Sequence, residues 1–113
     1  MSKLNGPYPL NQFGVDLNVL PFGIGGYALG HMRSDGKMEV RYVGRSCDAL
    51  NSRLKDHVRE GKYTAFGYQP CVTDNDCYLL ECELYHEFGA EALDNEIHPA
   101  GIDFLDVCPY CGR

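Results

Sequence analysis

The apolar positions of this chain follow two spacings that alternate along it. Residues 26–32 read as extended. Met38-Glu39-Val40-Arg41-Tyr42-Val43 then alternates apolar with polar, the period-two pattern of a strand with one buried face. Between them, Ser34-Asp35-Gly36-Lys37 is a turn, and Asp-Gly between extended runs marks a hairpin. The spacing then changes. Leu50, Leu54 and Val58 recur every four residues and predict a helix, with Ser46 as N-cap, Asp48 in the first turn and Gly61 as the stop. Residues 63–70 are aromatic and predict a third strand. A second helix is expected from Asp74 or Asp76 to about Phe88, closed by Gly89, with a short turn or helix over 93–97. Hairpin, helix, strand, helix is the order of an α+β domain, with a small, mostly antiparallel three-stranded sheet flanked by helices.

Residues 1–24, rich in Gly, Pro and Asn, read as an N-terminal arm with one short strand at Asn18-Val19-Leu20. Residues 25–100 hold the periodic elements, and 101–113 form a tail ending in Cys108-Pro109-Tyr110-Cys111. A chain of 113 residues makes one domain with a modest core, marginal unless something staples it. An apolar content of 44% argues against wholesale disorder. The absence of any apolar run of about 18 residues argues against a membrane span. The first residues lack the charged and apolar regions of a secretory signal, so the expected location is intracellular, cytoplasmic or with the nucleic acid in a nucleoid or nucleus.

The net charge of −6 is distributed unevenly. Residues 29–62 carry Arg33, Lys37, Arg41, Arg45, Arg53, Lys55, Arg59 and Lys62 against Asp35, Glu39, Asp48, Asp56 and Glu60, a local +3. From residue 63 onward ten acids face one base, a local −9. Chance clustering on a solvated surface gives the same picture about as readily as a binding face does. Phosphate responds to the local field, so the acidic total does not exclude DNA.

Glu81 stands out by position. At about 100° per residue, with Leu80 at zero, Leu84, Cys77 and Phe88 fall at about 40°, 60° and 80°, and Glu81 at about 100°, the edge of the apolar stripe. A carboxylate there is unfavourable unless paired or metal-bound. An ion pair with Arg53, or a hydrogen bond to a tyrosine, is the structural alternative to a metal. Arg53 and His57 are four residues apart and can serve one site, where an arginine can clamp a phosphate with two N–H donors. The alternative is a surface helix whose arginine lies along it. Tyr27 and Tyr42 fall on paired strands, where a phenol can bond a phosphate or a metal-bound water, or simply pack. Together these groups could polarise a phosphodiester, hold one divalent metal and activate a water.

In this order the residues resemble the GIY-YIG nuclease superfamily. Gly25-Gly26-Tyr27 matches the first motif, with variation at its middle position, and Tyr42-Val43-Gly44 matches the second. Arg45-Ser46, Leu50, Arg53-Leu54 and His57 resemble the first helix and its approach. Glu81 matches the metal-binding glutamate and Asn95 the late asparagine. The loop between the tyrosines is longer than the pattern, and Glu83 offers a second register; the apolar edge selects Glu81. The resemblance covers residues 25–95 and makes 25–100 a nuclease-like domain. It implies metal-dependent hydrolysis of DNA, with Mg²⁺ or Mn²⁺ on Glu81 and Tyr27 as general base or proton relay. Tyr42 and His57 would position the nucleophile, and Arg53 would neutralise phosphate charge. Arg45, Arg53, Lys55 and Asn95 would contact the nucleic acid. A phenol titrates near about 10 and needs a cation to lower it before it can act as a base; Arg53 and the metal are the candidates.

Six cysteines are many for this length, and a Cys-x-x-Cys pair in an intracellular chain favours metal over disulfides. Cys82 and His86, at about 200° and 240° on the second helix, with Cys108 and Cys111, form two half-sites for a structural zinc. His98 is a competing ligand, and buried free cysteines beside a loose tail are the alternative. Cys47, Cys71 and Cys77 read as packing residues. Two other functions compete with the endonuclease: a catalytically inactive nucleic-acid-binding protein, and a zinc-stabilised protein-interaction module. No recognition domain is visible, so a homodimer or a partner would supply target specificity. Removing Glu81 is expected to leave the fold intact, because it removes an unfavourable carboxylate.

Overall fold

The computed structural model describes residues 4–20, 23–95, 99 and 108–110. Its elements are β1 (Asn5–Pro9), α1 (Gln12–Asn18), β2 (Gly25–Met32), β3 (Met38–Ser46), α2 (Leu50–Glu60), β4 (Ala65–Pro70), α3 (Asp74–Glu87) and a 3₁₀ turn (Ala90–Ala92). The α+β class is as expected, but the sheet has four strands, in the order β1-β4-β2-β3, with every neighbouring pair antiparallel.

The extra strand comes from the stretch expected to be an arm. β1 pairs with β4, placing Tyr8 opposite Phe66 and Pro9 opposite Ala65. Pro7 and Pro9 obscure it in the sequence, yet on an edge strand a missing N–H is tolerated. The short strand expected at residues 18–20 is absent, because Asn18 ends α1 instead. Asn11 caps that helix, accepting from the Gly14 N–H at 2.7 Å.

Caps elsewhere shift by a few residues. Ser46 closes β3, and α2 begins after Ala49, whose N–H donates to Ser46 Oγ at 3.1 Å and Asp48 Oδ1 at 2.7 Å. Gly61 ends α2 in the left-handed region (φ +69°), as expected. Thr73, not Asp74 or Asp76, caps α3, and the two aspartates occupy its first turn.

The sheet is the middle of three layers. Alternation along β2 sends Tyr27 and Leu29 to one face, where they pack with Val15, Val19, Leu50, Leu54 and Phe66 beneath α1 and α2. Ala28 and Val43 face the other way, against Leu84, Tyr85 and Leu93 on the α3 side. A Cβ at Gly26 would lie 2.9 Å from the Leu80 side chain, so the glycine lets α3 sit close to the sheet.

β3 is an edge strand, and the segment after the 3₁₀ turn covers it. The Asp94 N–H donates to the Arg41 carbonyl at 2.6 Å. Asn95 accepts from the Val43 N–H at 3.0 Å and donates to its carbonyl at 2.7 Å. The expected short element over 93–97 is thus a 3₁₀ turn at 90–92 followed by edge pairing; residues 96 and 97 lie outside the described residues. Cys108 of the tail is buried beside Tyr78 and Cys82 of α3. Among the described residues no helix is long and apolar enough to cross a membrane.

Candidate active site

Tyr27, Tyr42, Arg45, Arg53, His57, Glu81 and Asn95 line one cleft of about 610 Å³, together with Gly44, Glu60, Lys62, Tyr63, Asp94 and Pro99. The cleft lies across the edge of β3. From the α2 side come the phenols, the imidazole and Arg53; from the α3 side come Arg45 and Glu81.

Tyr27 lines the cleft but is only 1% exposed. It pairs across the hairpin with Gly44, where a Cβ would stand 2.5 Å from the phenol oxygen. The ring therefore lies over a position that only glycine can fill. Its hydroxyl is 2.9 Å from His57 Nε2. Burial pushes the Tyr27 phenol well above its ordinary range and Tyr42 adds to the rise, while Arg53 pulls down more weakly. The expected cation-lowered phenol is therefore not what the protein alone provides.

Tyr42 stacks on Tyr27 with centroids 6.5 Å apart and lies 5.4 Å from the His57 ring. Burial raises this phenol too, against Arg53. His57 is buried, and its Nδ1 is 2.9 Å from Glu60 Oε1. Burial lowers its pKa below the usual imidazole value, with Glu60 opposing, so the ring is neutral at neutral pH. Arg53 is half exposed at the cleft wall, close enough to both phenols to act on them, and 3.8 Å from Asp56.

Glu81 has a partner, though not the expected one. Arg45 Nη1 donates to its Oε1 at 2.6 Å, and the two side chains are 17% and 12% exposed. Arg45 also lies over the Tyr78 ring, 5.4 Å from its centroid. Burial raises the Glu81 pKa from its ordinary value, and Arg45 opposes the rise. The pair follows from strand alternation: Arg45 shares the Val43 face, toward α3, whereas Arg53 is on α2 across the sheet.

Two further expectations change. Lys55 does not line the cleft; its ammonium is 2.6 Å from Asp16, tying α2 to α1. Asn95 lines the cleft, but its amide is engaged by the Val43 backbone, so it holds the edge segment in place. Glu60 and the Tyr63–Asp94 pair were not singled out in the sequence. Tyr63 donates to Asp94 Oδ2 at 2.7 Å and Arg41 to Oδ1 at 2.9 Å. The i,i+3 spacing of His57 and Glu60 was a legible signal for the first of these.

Among the described residues the cleft holds no three His, Cys, Asp or Glu side chains grouped as a metal would need, so a divalent cation there would rest on Glu81 and on substrate phosphate. Mg²⁺ keeps several waters and is commonly held by one or two carboxylates with substrate phosphate completing the shell. Glu81 supplies such a carboxylate, with Arg45 on one of its two oxygens.

Cys82 of α3 and Cys108 are buried together beside Tyr78 as free cysteines, a contact that a zinc site and plain packing of the tail would both give. Burial pushes the Cys82 thiol up to about 12. The His86 and Tyr110 rings are tilted against each other with centroids 5.7 Å apart. Cys111 and His98 lie outside the described residues, and among the described residues no three His, Cys, Asp or Glu side chains are grouped as a metal would need. Cys77 is buried and Cys71 partly so, but Cys47 is exposed rather than packed.

Comparison with protein-family models, with curated proteins and with solved structures found no match.

Proposed function

We propose that this chain is a divalent-metal-dependent endonuclease of the GIY-YIG type, hydrolysing DNA phosphodiester bonds in the cleft. The observation that supports it best is convergence. The Tyr27 and Tyr42 phenols, the His57 imidazole, the Arg45 and Arg53 guanidiniums and the Glu81 carboxylate arrive from β2, β3, α2 and α3 at a single concavity, which Glu60, Tyr63 and Asp94 also line.

Glu81 would hold Mg²⁺ or Mn²⁺, which when bound supplies charge stabilisation to the phosphoryl and leaving oxygens. The protein's own groups do the rest. Arg53, half exposed at the wall, clamps and neutralises a backbone phosphate. Tyr42 orients the attacking water. Tyr27 takes a proton from that water as it passes its own to neutral His57, 2.9 Å away, so no free phenolate is required. With this substrate goes a proposed intracellular location, where DNA is abundant. A single cleft cuts one strand, so a second copy or a partner supplies paired cuts and target choice.

Supercoiled plasmid provides the test. Nicked circles are expected with Mg²⁺ or Mn²⁺ and none with EDTA. A gel shift without nicking would replace this reading with nucleic-acid binding, and neither signal would overturn both.

We also propose that Cys82 and Cys108 belong to a structural zinc site completed by Cys111 and by His86 or His98. Burial against Tyr78 brings the two thiols together, and a bound metal would hold them as thiolates. Elemental analysis should find zinc in the purified protein, and a strong chelator should lower its melting temperature. Zinc-free protein with unchanged melting would remove the site.

A further inference from the structure

We infer that Glu60 is a positioning residue, whose carboxylate fixes the His57 tautomer that takes the Tyr27 proton. The kinetic part rests on the nuclease reading; the tautomer rests on geometry alone.

Both ring nitrogens of His57 are engaged, Nδ1 with Glu60 Oε1 and Nε2 with the Tyr27 hydroxyl, each at 2.9 Å. An ionised carboxylate can only accept, so Nδ1 must carry the hydrogen. In a neutral ring Nε2 is then a bare acceptor, and the hydrogen between the two residues belongs to Tyr27. Without Glu60 the ring is free to hold its hydrogen on Nε2, which would point an N–H at the phenol oxygen and close the proton route. The carboxylate of a hydrolase triad fixes its histidine in the same way. Glu60 is 59% exposed on its side chain whereas His57 is 6% exposed, so Glu60 acts through the ring and contributes little packing. The ionisable groups facing His57 are Tyr27 from β2, Tyr42 from β3, and Arg53, Asp56 and Glu60 from α2.

The step balances. The water oxygen bonds to phosphorus while one of its protons moves to the Tyr27 oxygen. The Tyr27 proton moves to His57 Nε2, and the imidazolium is held by Glu60. The bond from phosphorus to the leaving sugar oxygen breaks, and that oxygen takes a proton from solvent. His57 then returns its proton to solvent. Phosphodiester and water give a phosphomonoester and an alcohol.

The test combines ¹⁵N NMR of the imidazoles with plasmid kinetics in Mg²⁺. In the wild type, His57 is expected as the Nδ1–H tautomer. Glu60→Ala should move it to Nε2–H and lower kcat by about 10- to 100-fold with KM and melting unchanged. It should also shift the acid limb of the kcat profile to lower pH, since Glu60 raises the His57 pKa. Glu60→Gln keeps an accepting oxygen and should recover the tautomer and much of the lost kcat. Nε2–H in the wild type, or an alanine variant with unchanged tautomer and kcat, overturns the inference. A wild type with Nδ1–H that does not cut DNA removes the nuclease reading and the kinetic part with it, and leaves the tautomer assignment standing.

Discussion

Glu81→Ala is expected to abolish metal-dependent nicking and to lower the melting temperature, whereas Glu81→Gln abolishes nicking yet melts close to the wild type. Both variants lose the carboxylate proposed to hold the cation, and a loss of about 10³-fold or more is anticipated. Their stabilities differ because of Arg45. Two effects oppose each other. Burial makes the ionised carboxylate unfavourable, so its removal gives some relief. Removal also leaves Arg45, 17% exposed, without the oxygen it bonds at 2.6 Å. Removing one partner of a fully buried pair costs about 3–5 kcal/mol. Here Arg45 keeps some exposure and Tyr78 still faces the guanidinium, so a net loss of about 1 kcal/mol is expected, or roughly 4 °C in a chain of this length. Glutamine keeps an acceptor for Arg45 and avoids the charge. Plasmid nicking and thermal melting of the two variants side by side check this. Full nicking by the glutamine variant would show that Glu81 is only a structural partner. The expectation from sequence, an intact fold with no penalty, took no account of Arg45.

Gly44→Ala should be nearly as damaging to activity from a position that carries no functional group. Its Cβ would lie 2.5 Å from the Tyr27 oxygen and 2.6 Å from Cζ, well inside contact distance. The ring has little room to yield: it is 1% exposed, stacked on Tyr42 and bonded to His57. Tilting it away breaks the 2.9 Å contact to His57 and with it the proposed proton route. Overpacking of this kind costs about 1–3 kcal/mol, so melting should fall by several degrees while the fold persists. A kcat lower by about 100-fold with plasmid affinity retained is the expected outcome. An alanine variant with wild-type kcat would mean that Tyr27 does not have to sit where it does.

The glycine illustrates how far the sequence could be read. Tyr42-Val43-Gly44 stood out as a motif, yet nothing local says why the third residue must be glycine. The reason is the register that sets it opposite Tyr27. Glu60 is a similar case. Its spacing from His57 was visible, but a glutamate near the end of an amphipathic helix usually faces water, and here too it is largely exposed. Only the buried imidazole beneath it makes it matter.

What the sequence determined by itself was whatever depends on near neighbours. The hairpin turn, the α2 stripe, the Gly61 stop and the placing of Tyr27, Tyr42 and Glu81 on their elements follow from spacing and local backbone preference. The tertiary structure decided the partners. Arg45 rather than Arg53 meets Glu81, Lys55 turns away to Asp16, and a proline-bearing segment adds the fourth strand. Those outcomes depend on which faces of a three-layer sandwich meet, and on how deeply each charge is then removed from water, which spacing along a chain does not encode.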